Sequence, residues 1–363
     1  MSSLDAIARS DWTHLFDFSY DSQLSVTRYA SPASICNLAK TCHHYRKAIT
    51  AQVPELWNIN KHLRRWFLDP IAFRNLQART ATLISGSSAL QFLDRTVYDD
   101  SDLDIYVFSE HLREVCQWIM SQGYVYAPKH QQNHSFQVAV TQDPTTVKLL
   151  YRMRGVRNII DLQHPVNGQK VQVIAAEKTP IEIILHFHST CVMNVISFEK
   201  AYSLYPTATF EQRRSLILAS DGPSQEPAQQ KYRERGWTLL AGISSQERWD
   251  GRRAMSTTPR WIEDRFAWVI PLDLTNVVQP QEEHLLKGMS ALVNDPVVMT
   301  SWKLKLLDDD EIEMDCRIMD ATVRSCRYTY AVLHKSFWHN YLYWFLRNLL
   351  KTTGTVLDVN NIR

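Results

Sequence analysis

The stretch LISGSSALQFLDRTVYDDSDLDIYV, residues 83–107, most constrains what this chain can fold into. Ala81 to Ser85 reads as a buried strand, Ser88 to Leu93 as the start of a helix and Leu103 to Phe108 as a second strand. Gly86 and Ser87 sit at the first turn. Glycine there lets backbone N–H groups approach an anion closely, and Ser87 adds a hydroxyl near the positive end of the helix, so these two residues form the expected phosphate seat. In a strand, residues two apart share a face, so Asp102 and Asp104 project together while Leu103 and Ile105 enter the core. Paired carboxylates attract a hard cation. Mg²⁺ suits because it takes oxygen ligands and shares them with phosphates. Two such ions about 4 Å apart would polarise a phosphate and activate an incoming hydroxyl.

Asp100, Asp102 and Asp104 also mimic the opening of a calcium loop, but Ile105 stands where glycine is required and His111 where the closing glutamate should be. Calcium is therefore rejected. A solvated acidic turn before an ordinary strand is the plain alternative, and the adjoining Gly-Ser pair argues against it.

Downstream, EHLREVCQWIMSQ places Leu112, Val115, Cys116, Ile119 and Met120 on one helical face that stops at Gly123. Strands are expected at Ser135–Thr141, Asn158–Leu162 and Lys170–Ala175. The segment TPIEIILHFHSTCVMNVISFEKAYSLYP reads as two helices or one broken helix, ending before Pro206. The polar, proline-containing run from Ser220 is the best boundary, and Tyr328 to Leu350 reads as an aromatic-rich helix. Charged and polar residues interrupt that last stretch, so it is not expected to span a membrane. The resulting plan is a helical module over 1–65, an α/β (α+β) domain over 66–215 with a mixed sheet flanked by helices, a linker or loop over 216–235, and a mixed C-terminal extension over 236–363.

Net charge is +2, from 40 basic and 38 acidic residues, which is too balanced to indicate a nucleic-acid partner by itself. Six scattered cysteines without a C-x-x-C pair, and a start without a signal-peptide pattern, predict a reduced protein of the cytoplasm or nucleus.

Apolar-Gly-Ser, a spacer and Asp-apolar-Asp-apolar together resemble the signature of the nucleotidyltransferase superfamily. The resemblance implies a nucleotidyltransferase-like fold, with Gly86 and Ser87 on the nucleotide phosphates and Asp102 and Asp104 as metal ligands. It further implies an NTP as partner, Mg²⁺ as cofactor, and transfer to an acceptor that could be nucleic acid, protein or small molecule. Active members carry a third carboxylate on a neighbouring strand. Strand order puts Gln172 there, and an amide cannot act as a base; Asp161, on the adjacent strand, is the nearby substitute. The alternative is a non-catalytic interaction protein with a degenerate fold of this kind. SPASICNLAKTCHHYRKAI and the later Leu56–Trp57 resemble the F-box, which implies a ubiquitin-ligase adaptor as partner. GSSALQFLDR, SDLDIYV, VQVI and FHSTCVMN resemble fungal proteins that join an F-box-like start to such a domain.

Lesser candidates are His186 with His188, His130 with His134, and two basic patches: Lys61, Arg64 and Arg65; Arg152, Arg154 and Arg157. The histidines lack further ligands at metal spacing, and each basic patch also fits an ordinary solvated face.

Overall fold

The computed structural model describes residues 19–99, 101–129, 132–142, 154–219, 225–250, 255–280, 295–307, 311–319 and 328–333. The chain divides into two units, Met1–Asn58 and Ile59–Arg363. In the first, α1 (Tyr20–Tyr29), α2 (Pro32–Thr41) and α3 (His43–Leu56) follow one another. Ser19 and Ser31 cap the first two by accepting from the backbone N–H groups of Ser22 and Ser34, and Pro32 occupies the first turn. Cys42, whose backbone is extended, ends α2 before α3 begins. A buried hydrogen bond of 2.6 Å from Thr27 Oγ1 to Gln52 Oε1 ties α1 to α3.

The second unit opens with α4 (Ile59–Leu63) and α5 (Pro70–Thr80), followed by β1 (Leu83–Ser85), α6 (Gly86–Asp94), β2 (Leu103–Phe108), α7 (Leu112–Ser121) and β3 (Val125–Tyr126). Next come α8 (Phe136–Ala139), β4 (Val156–Gln163), β5 (Lys170–Ala176), α9 (Pro180–Leu185), β6 (Asn194–Ile196) and β7 (Lys200–Ser203). Then follow β8 (Arg214–Leu216), α10 (Glu226–Glu234), β9 (Thr238–Leu240), α11 (Ser245–Trp249), β10 (Arg260–Trp261) and β11 (Trp268–Pro271). The last strands are β12 (Ser301–Leu306), β13 (Ile312–Asp315), β14 (Arg317–Met319) and β15 (Tyr330–Val332).

An eight-stranded sheet in the order β11-β7-β6-β1-β2-β5-β4-β3 organises this unit. It is mixed: β2 and β5 run parallel, and every other neighbouring pair is antiparallel. Alternation explains its central strands. Ile84, Ile105, Val173 and Ile160 are paired across β1, β2, β5 and β4, so they share one face, and all four are fully buried. The opposite face carries the paired row Ser85, Asp104, Gln172 and Asp161. Leu112, Val115, Cys116 and Ile119 give α7 a buried stripe, and it packs on β2, β4 and β5.

Several expectations are corrected. Ser135–Thr141 alternates like a strand, yet Phe136–Ala139 is a short helix, with the Ser135 carbonyl accepting from the N–H groups of Val138 and Ala139. The stretch after Pro180 is α-helical only to Leu185, followed by a single 3-10 turn at Thr190–Val192. Residues 194–203 form β6 and β7, strands buried on both faces except at Lys200, which is why their apolar run resembles a helix. Residues 216–235, expected as a linker or loop, contain α10. Tyr330–Val332 is a strand, and the remainder of the expected C-terminal helix lies outside the described residues, as do Asp100, His130 and Arg152. Strand β11, from beyond residue 236, is the edge strand of the central sheet beside β7. No helix among the described residues is long and apolar enough to cross a membrane.

Candidate functional site

The turn from β1 into α6 is built as its residues demand. Gly86 has φ +64°, in the left-handed region that glycine enters without penalty, and a Cβ placed there would fall 2.6 Å from Asp104 Oδ2. The start of α6 thus lies directly against the Asp104 carboxyl. Ser87 is buried, and its hydroxyl meets Ser101 Oγ at 2.9 Å.

Gln91, one helical turn beyond Ser87, organises the approach to β2. Its Nε2 donates to the Ser87 carbonyl at 3.0 Å and to Ser101 Oγ at 2.6 Å, while its Oε1 accepts from Tyr98 N at 2.7 Å and Arg65 Nη1 at 3.0 Å. The segment leading to Asp102 is therefore tied to the helix that starts at Gly86. Arg65 also donates to the Tyr98 carbonyl, so this member of the first basic patch supports the site's framework.

Asp104 lies deep in the fold while keeping part of its surface open. Desolvation, followed by the charge of exposed Asp102, holds its carboxyl up at about 7 against an ordinary value of 3.8. Lys231 and Lys129 act in the opposite sense. Among the described residues no ion pair or hydrogen bond to the Asp104 side chain is present.

Asp161 has a different environment. Gln172 is its register partner on β5, and Gln172 Nε2 donates to Asp161 Oδ1 at 2.6 Å. Lys129 Nζ lies 2.9 Å from Asp161 Oδ2. Adjacent strands are about 4.8 Å apart, so Asp161, two strands from Asp104, stands roughly 10 Å away along the row. The structure therefore brings Gly86, Ser87, Asp102 and Asp104 together and keeps Asp161 apart, with Gln172 between. Among the described residues no group of three or more His, Cys, Asp or Glu is placed to hold a metal ion.

The residues present fit one cation shared with a ligand. Mg²⁺ is commonly held by one or two carboxylates plus substrate phosphates, and a deep carboxyl beside a second one is relieved by a cation. Asp102 and Asp104 would hold it, and a bound ion would bridge to phosphate oxygens and offset their charge.

Sequence reasoning missed Lys129, Gln91 and all of α10. That helix brings Lys231 within electrostatic range of Asp104, and its buried Tyr232 lies 5.8 Å, centroid to centroid, from His188. Gln91 carried a signal, its i+4 spacing from Ser87, whereas Lys129 carried none. Of the lesser candidates, His186 Nδ1 lies 2.7 Å from the Glu182 carbonyl, and His188 is pushed down to about 4 by burial, which fits a neutral packed ring at His188. Arg154 and Arg157 are exposed. The chain matches no family profile, no curated protein and no solved structure.

Proposed function

We propose that the recess at Asp102 and Asp104 is a nucleotidyltransferase-like site that binds a Mg²⁺–nucleoside triphosphate, and that it retains the nucleotide without efficient transfer to an acceptor. Asp102 and Asp104 take the cation, and the backbone N–H groups at Gly86 and Ser87 meet the phosphates. The observation that carries this reading is the Asp104 carboxyl, deep in the fold, against the glycine that opens a helix and with no ion pair or hydrogen bond among the described residues. A cation carrying an anionic ligand brings a positive charge to the Asp104 carboxyl and a negative one to the helix start.

The absence of transfer rests on Gln172. Its amide stands in register with Asp104, where a carboxylate could deprotonate an acceptor hydroxyl, and an amide has no basic function there. Asp161 is two strands away and engaged by Gln172 and Lys129.

Calorimetry of the full chain with Mg-ATP tests the binding. Saturable heat is expected for the wild type and none for the Asp102→Ala, Asp104→Ala protein. Equal binding by both proteins, or none by the wild type, sinks the reading. Incubation with α-labelled NTP and a panel of RNA, protein and small-molecule acceptors tests the second part, and multiple-turnover labelling would refute it.

A further inference from the structure

The orientation of the Gln172 amide is fixed by chemistry. A carboxylate paired with an ammonium accepts hydrogen bonds and does not donate them, so the group that Gln172 turns towards Asp161 is its NH₂. The carbonyl oxygen on the same carbon is therefore the amide atom not engaged by Asp161. Gln172 stands between Asp161 and Asp104 in the row across the sheet, with Asp104 its register partner on β2.

We infer that Gln172 contributes its amide oxygen as a third ligand to the cation held by Asp102 and Asp104, positioned by the Asp161–Lys129 pair. This rests on the cation–nucleotide reading above and names the ligand set of that same site. It gives Asp161 a role as a positioning residue, which binds the amide and not the ion. Partners that orient a ligand in this way commonly matter for metal affinity as much as the ligands they orient. A neutral amide in place of a carboxylate also leaves one negative charge fewer around the ion. The site then holds its cation weakly by itself and firmly once triphosphate oxygens join the shell.

The test uses the full chain with Mn²⁺ as the probe, followed by electron paramagnetic resonance in the presence and absence of ATP. Gln172→Leu is expected to weaken Mn²⁺–ATP binding about tenfold and to alter the bound-ion spectrum. Asp161→Leu should reproduce most of that loss, and the double substitution should bind no worse than Gln172→Leu alone. Gln172→Met, unbranched and without the amide, replaces the leucine variant if thermal unfolding shows that the latter does not fold. Wild-type affinity and spectrum in a folded Gln172 variant overturn the inference alone. So do additive losses in the double substitution, which would mean that Asp161 acts independently of Gln172. Absence of Mn²⁺–ATP binding by the wild type overturns the underlying reading as well.

Discussion

Asp104 and Asp161 lie in one row on one face of one sheet, and the protein treats them in opposite ways. Asp161 has its counter-charge built in, with Lys129 on one oxygen and the Gln172 amide on the other. Asp104 sits deeper, shares its surroundings with the like charge of Asp102, and has glycine where any other residue would crowd its oxygen. Burying a carboxylate without a partner is expensive, so folds tolerate it where a ligand completes the site. Among the described residues the row carries its paired cation at Asp161 and none bonded to Asp104, and under the function proposed above a ligand completes that second end.

The largest effect that could break this contrast is on binding. Asp102→Ala with Asp104→Ala should lower Mg²⁺–ATP affinity at least about a hundredfold, consistent with loss of every carboxylate ligand to the ion. Calorimetry reads that loss, and the melting temperature should hold or rise, because removing two like charges, one of them deep in the fold, relieves the desolvation and repulsion that raise Asp104 in the cation-free protein.

Next in size is Gly86→Ala. Its Cβ would meet Asp104 Oδ2 and its φ is +64°, so strain and clash together should cost about 2 kcal/mol in a denaturant titration. Gly168→Ala shares the left-handed backbone, with φ +71°, but meets nothing within 4 Å, and should cost about half as much. Equal losses would mean that the approach to Asp104 contributes nothing.

A third way to bury a titratable group is to keep it neutral. His62, behind α6, has its ring against Trp66 and Phe92 and its Nε2 3.0 Å from Ser88 Oγ. Desolvation, and then the charge of Arg65, push it down to about 3. The unfolded chain, with a histidine value near 6.5, then binds the extra proton first as pH falls. His62 thus contributes stability that is complete above about pH 6.5 and declines towards pH 3, by up to about 1.4 kcal/mol per pH unit. Denaturant midpoints between pH 7 and 5 should show that slope, and His62→Phe should flatten it.

The smallest effect belongs to Lys129→Met. Its ammonium is well exposed, so the substitution should cost about 0.5 kcal/mol or less in thermal unfolding. A much larger cost would make the Asp161 end a structural keystone and sharpen the contrast further.

The open end of the row was legible in the sequence because local rules decide it. Gly86 after an apolar strand and Asp-x-Asp opening the next specify turn, helix and shared face within 25 residues, and β2 spans Leu103–Phe108 as expected. The alignment of Gln172 with Asp104 was also legible, since strand order alone brings β5 beside β2. What was hidden depends on distant partners. Lys129 reaches Asp161 across 32 residues without any pattern to announce it. Lys231 comes from a polar helix whose only buried residue is Tyr232, too few for a periodic signal. Residues 194–203 misled because strands covered on both faces lose the alternation that marks a strand.

The pairing of β7 with β11 has a consequence for biosynthesis. The two strands are separated by about 60 residues of chain, so the sheet edge at Lys200–Ser203 is translated well before Trp268–Pro271 exists to cover it. At ribosomal speeds the interval lasts several seconds. During that time a nascent chain presents an unpaired strand edge of the kind that pairs with a neighbouring chain. Arg74 ties the same parts together in the finished fold, donating at once to the Phe198 and Asp273 carbonyls. A chain halted before residue 268 would hold its Asp102–Asp104 motif complete and yet keep its sheet open at the far side.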